Sequence, residues 1–545
     1  MAEGTNMKQG IAIDLGTSGF RAQRIDLESG NIGKTVISLR NPLPGANVMD
    51  HLDFAVNYGQ DIAHELVINA FKNISDMLRT DQSSIDRIAV CGNPIQLSLF
   101  QGIPVEDLAY AGERKKKKLN IKEQERKAAI ISSSDIPGLE DFGDCQVMIP
   151  PAIKHEVGAD ALALIVKSGM LDSDDISIAT DYGTNAEMAL KVDNVIYTGS
   201  AAAGPALEGQ QIRDGILASP NAISDVKFEN DSLRNYVLDD ELTAVEGDLV
   251  DPKSGEVVQK GDIRAKGITG TGVIALIEQS MGKGLIQLPR INTTDKILHL
   301  QDNIRFSEKD LIEAGRAIGA IRAGHITLCN VAGIEMQDIK TAYMSGAAGT
   351  YMDAVKAHRI GMIPFGVNDV YQIGNTSLTL AREILLSEDR LWELQDISQK
   401  IVGNHVMFAM DKAFQDTYVL ELAYWGEGMP FKMFKKYLKK KNLSNLDEPA
   451  KAPQVSKLVE RDIADLGDEG LSVIERVGTY LTMKIEDCEE CRKCILVCPN
   501  DAIEMDEEGV VLIRTDLCDG SNCQKCIRAC PPEKFRWENL VVAKV

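Results

Sequence analysis

The sequence contains no run approaching 18 consecutive apolar residues, and its first ten residues, MAEGTNMKQG, have no apolar core. A membrane partner and a secretory leader are therefore not expected, and the expected location is cytoplasmic. Positive charge is in deficit: 59 Lys and Arg against 81 Asp and Glu leave −22, which argues against a nucleic-acid partner. Helical repeats of the solenoid kind are missing. So is the Walker sequence G-x-x-x-x-G-K-S/T, which disfavours a P-loop enzyme. Cysteine is scarce through the first 487 residues, where Cys91, Cys145 and Cys329 stand alone. A secreted disulfide framework does not leave such a gap. These three read as inert; Cys91, at the end of an apolar strand, reads as a buried small hydrophobe.

What is present is a chain of 545 residues, 44% hydrophobic and 26% charged, an ordinary globular composition that suggests two to four domains. Short apolar strands (Ile11–Ile13, Arg87–Cys91, Asp175–Ala179) alternate with segments of helical spacing (Ile62–Leu78, Leu311–Leu328) over the first 440 residues, the pattern of α/β layers. Met188–Gly199 reads as a hairpin turning at Asp193-Asn194, and Asp251–Gly255 as a surface hairpin turn. Arg114–Lys118 reads as a solvated cationic face leading into a helix-like Asn120–Ile131. Residues 441–483, with Pro449 and Pro453, read as linker and connecting segment. They divide a body, 1–440, whose second half starts near 175, from a tail, 484–545.

Two motifs in the body are alike. Asp14-Leu-Gly-Thr-Ser-Gly follows one strand and Asp181-Tyr-Gly-Thr-Asn-Ala follows another, 167 residues later. In each, Gly16 or Gly183 removes the side chain that would keep backbone N–H groups from a phosphate. Thr17 and Ser18, or Thr184 and Asn185, add hydroxyl and amide groups. A carboxylate at the strand end, Asp14 or Asp181, suits hydrated Mg²⁺ or an attacking water. A third element, Thr341–Gly349, runs from a strand into a turn with Gly346 and Gly349 that could lie against an adenine. Asp160 reads equally as a helix cap or a nucleotide contact, and His155 as a core or surface histidine rather than a metal-facing group.

The other eight cysteines fall between residues 488 and 530. Cys488-x₂-Cys491-x₂-Cys494-x₃-Cys498-Pro and Cys518-x₄-Cys523-x₂-Cys526-x₃-Cys530-Pro repeat the bacterial ferredoxin run, the second with a two-residue insertion. Three closely spaced thiolates take three corners of a cubane and the fourth reaches the other cluster. One [4Fe–4S] is thus assigned to Cys488, Cys491, Cys494 and Cys530, and the other to Cys518, Cys523, Cys526 and Cys498. Structural zinc fits less well, lacking the trailing Cys-Pro.

The three nucleotide elements resemble the sugar kinase, Hsp70 and actin superfamily, in which duplicated halves close on ATP. Cys91-Gly-Asn-Pro-Ile, Val157-Gly-Ala-Asp160, Ser200–Gly209, Gly267–Gly272 and Ile373-Gly-Asn375 narrow the resemblance to the reductive activators of corrinoid proteins. Ala186 and Ala348 depart from that branch, where Gly and an aromatic are usual. The C-terminal two-cluster layout is similar to the activators of methylamine methyltransferase corrinoid proteins in methanogens. The resemblance implies an α/β fold: a duplicated actin/Hsp70-like ATPase clamp followed by a small α+β ferredoxin-like domain. It implies an oxidoreductase that uses ATP, Mg²⁺ and a low-potential electron donor to return Co(II) to Co(I) in those partners. The cobalt belongs to the partner, since no Asp-x-His-x-x-Gly motif occurs here. The alternatives are an ATP-driven reductase activating a dehydratase or aromatic-ring reductase, and a non-catalytic redox-sensing ATP-binding protein.

Overall fold

A computed structural model describes residues 8–543 apart from 81–83, 111–112, 154–156, 205, 207–210, 402–403, 447–450, 487 and 531–533. His155 and most of 205–210 therefore lie outside the described residues. The chain forms two compact units: residues 1–159, 377–397 and 465–545, and residues 160–376 and 398–464.

The first unit is built on a seven-stranded sheet. Its strands are β1 (Gln9–Leu15), β2 (Phe20–Asp26), β3 (Ile32–Ser38), β4 (Ile85–Gly92), β5 (Ala129–Ser132), β6 (Gln146–Ile149) and β22 (Leu471–Ile474), in the order β22-β3-β2-β1-β4-β6-β5. The strand β1 is buried along its whole length, as a short apolar run in a covered sheet must be. The second unit repeats the plan with β7 (Ser177–Tyr182), β8 (Asn185–Val192), β9 (Val195–Ala202), β19 (Thr341–Ser345), β20 (Asp369–Gly374) and β21 (Gln454–Lys457), ordered β21-β20-β19-β7-β8-β9. In both, a three-stranded antiparallel meander comes first, and a later strand, β4 or β19, lies parallel to its first member. The duplication expected from the motifs is thus visible in the topology.

The second unit also carries a five-stranded sheet that the sequence did not announce: β10 (Ala222–Glu229), β11 (Ser232–Leu238), β12 (Ala244–Val250), β13 (Val257–Gln259) and β14 (Gly267–Ile268). Two small hairpins follow, β15 (Ile286–Gln287) with β16 (Arg290–Ile291) and β17 (Ile297–His299) with β18 (Arg305–Ser307). The tail folds as β23 (Tyr480–Lys484), β24 (Ile503–Met505), β25 (Val510–Arg514) and β26 (Val541–Val542), ordered β24-β25-β23-β26. Its sheet begins at Tyr480, before the cysteine run.

Several local expectations hold. Helices span Gln60–Leu78 and Glu308–Ala332, the latter opened by a Ser307/Asp310 capping box. The β8–β9 hairpin turns at Asp193-Asn194, with Asp193 at φ +52. Asp251 closes the β12–β13 turn, receiving Gly255 N at 2.8 Å on its carbonyl. Cys91, Cys145 and Cys329 are buried.

Two do not. The helix Glu113–Leu119 stops at Asn120, φ +55, and Ala129–Ser132 is a strand. Asp107 draws the intervening chain away from helical geometry by receiving Gln124 N at 3.0 Å and gripping Arg126 at 2.7 and 2.8 Å. Within the cationic run Lys116 is buried and paired with Glu123 at 2.7 Å, so that face is not wholly solvated. The segment 441–483, read as linker, supplies β21 to one sheet and β22 to the other. No helix among the described residues is long and apolar enough to cross a membrane.

Candidate nucleotide and cluster sites

In the first unit Asp14 lies one residue from the end of β1, opposite Arg21 on β2 and Cys91 on β4. It is 6% exposed, and its carboxylate stands 4.0 Å from the Arg21 guanidinium. The turn from β1 to β2 needs its glycines. A Cβ on Gly16 would fall 2.6 Å from Gly19 O, and one on Gly19 2.4 Å from Ser38 O. Three side chains hold this turn. Asn41 Nδ2 donates to Gly16 O at 3.0 Å, Asn93 Nδ2 to Thr17 Oγ1 at 3.1 Å, and Ser38 Oγ accepts from Phe20 N at 2.8 Å. Asn93 Oδ1 also caps the helix Pro94–Gln101 through Ile95 N and Gln96 N, both at 3.0 Å. Ser18, in the same turn, is buried.

In the second unit Asp181 holds the matching position on β7, opposite Glu187 on β8 and Ser345 on β19. Ser345 Oγ lies 3.3 Å from Asp181 Oδ2 and 3.1 Å from Gly374 O. Gly346, φ +78, comes so close to Asp181 that a Cβ there would sit 2.3 Å from Oδ1. The strand β19 runs straight into the helix Gly346–Tyr351, and Gln372 Nε2 fastens that helix to Gly349 O, Thr350 O and Met352 O at 2.7, 3.1 and 2.9 Å. A Cβ on Gly349 would meet Met344 C at 3.0 Å. Thr184 is buried and its carbonyl accepts Gly204 N at 2.9 Å, while Gly183 and Asn185 complete the turn into β8. The structure thus gathers Asp181, Gly346 and Gly349 around one sheet end.

Glu187 carries a feature the motif reading passed over. Burial, reinforced by the charges of Asp160 and Asp181, holds its carboxyl well above the ordinary carboxylate range. Asp160 sits in the first turn of the helix Ala159–Ser168, with Oδ1 receiving Ala161 N at 2.8 Å. Ala186 pairs with Tyr182 and Ala201 at a regular, buried strand position where no glycine is needed. Ala348 is buried too.

In the tail the eight thiols fall into two groups. Cys494 feels Cys530 and Cys488, and Cys530 feels Cys488 and Cys491; burial is the first cause raising both thiols. Burial likewise raises Cys518, which feels Cys526 and Cys498, and pushes Cys526 up to about 11, with Cys523 and Cys498 adding to it. Each group takes three cysteines from one run and the last from the other. Among the described residues no three His, Cys, Asp or Glu side chains converge on a point fit for a single metal ion.

The Cys518 loop packs on the first unit's own residues. Gly45 N donates to Cys518 O at 2.8 Å, Ser521 Oγ bonds Asp53, and buried Trp537 lies 6.1 Å from the Phe54 ring and 5.2 Å from Tyr58.

Comparison with known proteins completes the picture. Residues 9–173 match the RACo middle region, and residues 175–435 the C-terminal domain of RACo, the ASKHA domain. The chain is 46% identical over 499 residues to the Co(II) methylated amine-specific corrinoid protein reductase of Methanosarcina barkeri, covering 91% of this chain and 92% of that one. It is 24% identical over 452 residues to the corrinoid activation enzyme RamQ of Eubacterium limosum, 76% of this chain and 70% of that one. The solved reductive activator for corrinoid, iron-sulfur protein shares the fold, with TM-score 0.63 and 22% identity over 77% of this chain and 66% of that one. With the duplicated ATPase topology and the paired carboxylate turns already in place, the chain belongs to the family of reductive activators of corrinoid proteins.

Proposed function

We propose that this chain is a cytoplasmic oxidoreductase that uses ATP to reduce Co(II) to Co(I) in methylamine-specific corrinoid proteins, fed by a low-potential electron donor. The observation that carries the reading is the pair of ferredoxin-type cysteine runs in the tail, in a chain 46% identical over 91% of its length to a Co(II) corrinoid protein reductase. ATP coupling has a thermodynamic reason: a one-electron equilibrium shifts tenfold per about 59 mV, so an acceptor a few hundred millivolts below its donor stays almost unreduced.

The residues present fit the groups this requires. Cys488, Cys491, Cys494 and Cys530 would hold one [4Fe–4S] cluster, and Cys518, Cys523, Cys526 and Cys498 the other; when bound, the clusters supply one-electron transfer. The Gly16–Ser18 and Gly183–Asn185 turns offer backbone N–H groups to phosphates. Asp14, restrained by Arg21, suits the hydration shell of Mg²⁺, and Asp181, fixed by Ser345, suits the attacking water. Gly346 leaves room for the Asp181 carboxylate, and Gly349 lets the helix turn close against β19 beside it.

The test mixes anaerobically purified protein, oxidised corrinoid protein, ATP and Ti(III), and follows the Co(I) absorption band. Reduction that requires ATP supports the reading. Equal reduction without ATP, or none with it, overturns it.

A further inference from the structure

The first phosphate turn and the Cys518 loop are joined by a short strap, Ser38–Gly45, buried at Ser38 and from Asn41 to Pro44, for which the activity described so far has no use. At one end Asn41, 5% exposed, donates from Nδ2 to Gly16 O and receives Leu43 N on Oδ1 at 2.9 Å. Ser38 Oγ bridges Phe20 N and Arg40 O, both at 2.8 Å. At the other end Gly45 N reaches Cys518 O at 2.8 Å, and Arg40 Nη1 lies 3.5 Å from Asp516 O. Gly520, φ +71, packs backbone to backbone here, since a Cβ on it would stand 3.2 Å from Gly45 Cα and Pro44 O. Pro42 and Pro44 fix two φ angles of the strap, and Asn41 to Pro44 are buried. A close-packed, proline-stiffened segment passes on a displacement rather than absorbing it.

The peptide plane explains why a nucleotide would displace it. Gly16 C=O and Thr17 N–H belong to one rigid peptide unit. Turning that N–H toward a phosphate turns the carbonyl that Asn41 grips. We infer that the Ser38–Gly45 strap couples nucleotide occupancy of the Gly16–Gly19 turn to the setting of the Cys518 loop, and so of the cluster held by Cys498, Cys518, Cys523 and Cys526, with Asn41 as the positioning residue. The inference rests on the function proposed above.

Coupling of this kind is reciprocal. If ATP changes the reduction potential of that cluster, reduction changes ATP affinity by the same factor, with about 59 mV corresponding to each tenfold. The experiment measures the Kd of a non-hydrolysable ATP analogue for the oxidised and the dithionite-reduced full chain, and the cluster potential with and without the analogue. The two affinities are expected to differ by about fivefold or more, the low end of usual couplings, and the potential to shift by the matching amount. Asn41→Ala removes both bonds; Asn41→Ser still offers Leu43 N an acceptor but is too short to reach Gly16 O. In both, the ratio of affinities should fall to within about twofold of one. A ratio of one in the native chain, or a native ratio in both variants, overturns the strap. Iron and sulfide content is measured first: their absence removes the cluster reading itself, and the inference with it.

Discussion

A methyl group at position 346 would have to occupy the place of the Asp181 carboxylate, at a backbone angle that side chains other than glycine rarely adopt. Gly346→Ala is therefore expected to lower ATP turnover at least about tenfold, a loss of roughly 1.4 kcal/mol or more in transition-state stabilisation. Asp14→Ala and Asp181→Ala are expected to abolish hydrolysis while iron and sulfide content stays at the native level. Turnover near the native rate in both would remove these turns as the site of hydrolysis. The two aspartates were legible because the chemistry is written locally, as an acidic residue at a strand end before Gly-Thr. Asn41, Asn93 and Ser345 were not, because each acts on a turn far from it in sequence and the bond exists only once the strands have paired. Asn93 sat inside a family motif without a stated role; its amide bridges Thr17 and a helix start. Asn93→Ala should cost about 1 kcal/mol of stability through the lost cap.

Between the helices Glu308–Ala332 and Lys412–Glu427 lies a buried ion pair, Arg322 Nε to Glu421 Oε1 at 2.9 Å, with the Tyr424 and Phe434 rings 5.2 and 5.5 Å from the guanidinium. Burial pushes the Glu421 carboxyl up to about 7, against the opposing pull of Arg322. The folded state therefore binds this proton more tightly than the unfolded chain does. The contribution to stability is present below the ordinary carboxylate range and lost as pH rises through about 7. Relative to Glu421→Gln, which cannot titrate, the native chain should lose on the order of 2 kcal/mol between pH 4.5 and 8. A stability difference that stays constant across that range, measured by urea unfolding, would contradict the argument. At this scale periodicity served well for helices with one apolar face, such as Gln60–Leu78. It failed at Asn120–Ile131, where the Asp107–Arg126 pair overrides local spacing, and for β21 and β22, four-residue edge strands whose partners lie a long way back in the chain.

For the molecule as a whole, anaerobically purified protein should contain about eight iron and eight sulfide per chain; roughly two zinc without sulfide would refute the cluster assignment. A chain ending at residue 478 keeps both edge strands and all nucleotide elements but loses the eight cluster cysteines. It should bind ATP and fail to reduce Co(II) corrinoid protein. The tail was legible as chemistry, since each run carries most of its own ligands, but its seat on Phe54 and Tyr58 was not, because nothing local marks Trp537 as the anchor. The late edge strands carry one more consequence, for how the protein is made. Leu471 pairs with Thr35, and Gln454 with Asp369, so during synthesis each large sheet waits with an unfilled edge until residues 454–474 have been made. An open edge recruits foreign strands, and contacts this distant in sequence close slowly. The nascent chain is thus most exposed to aggregation just before its cysteine-rich end emerges, and a ribosome stalled before residue 454 would leave both sheets without their last strand.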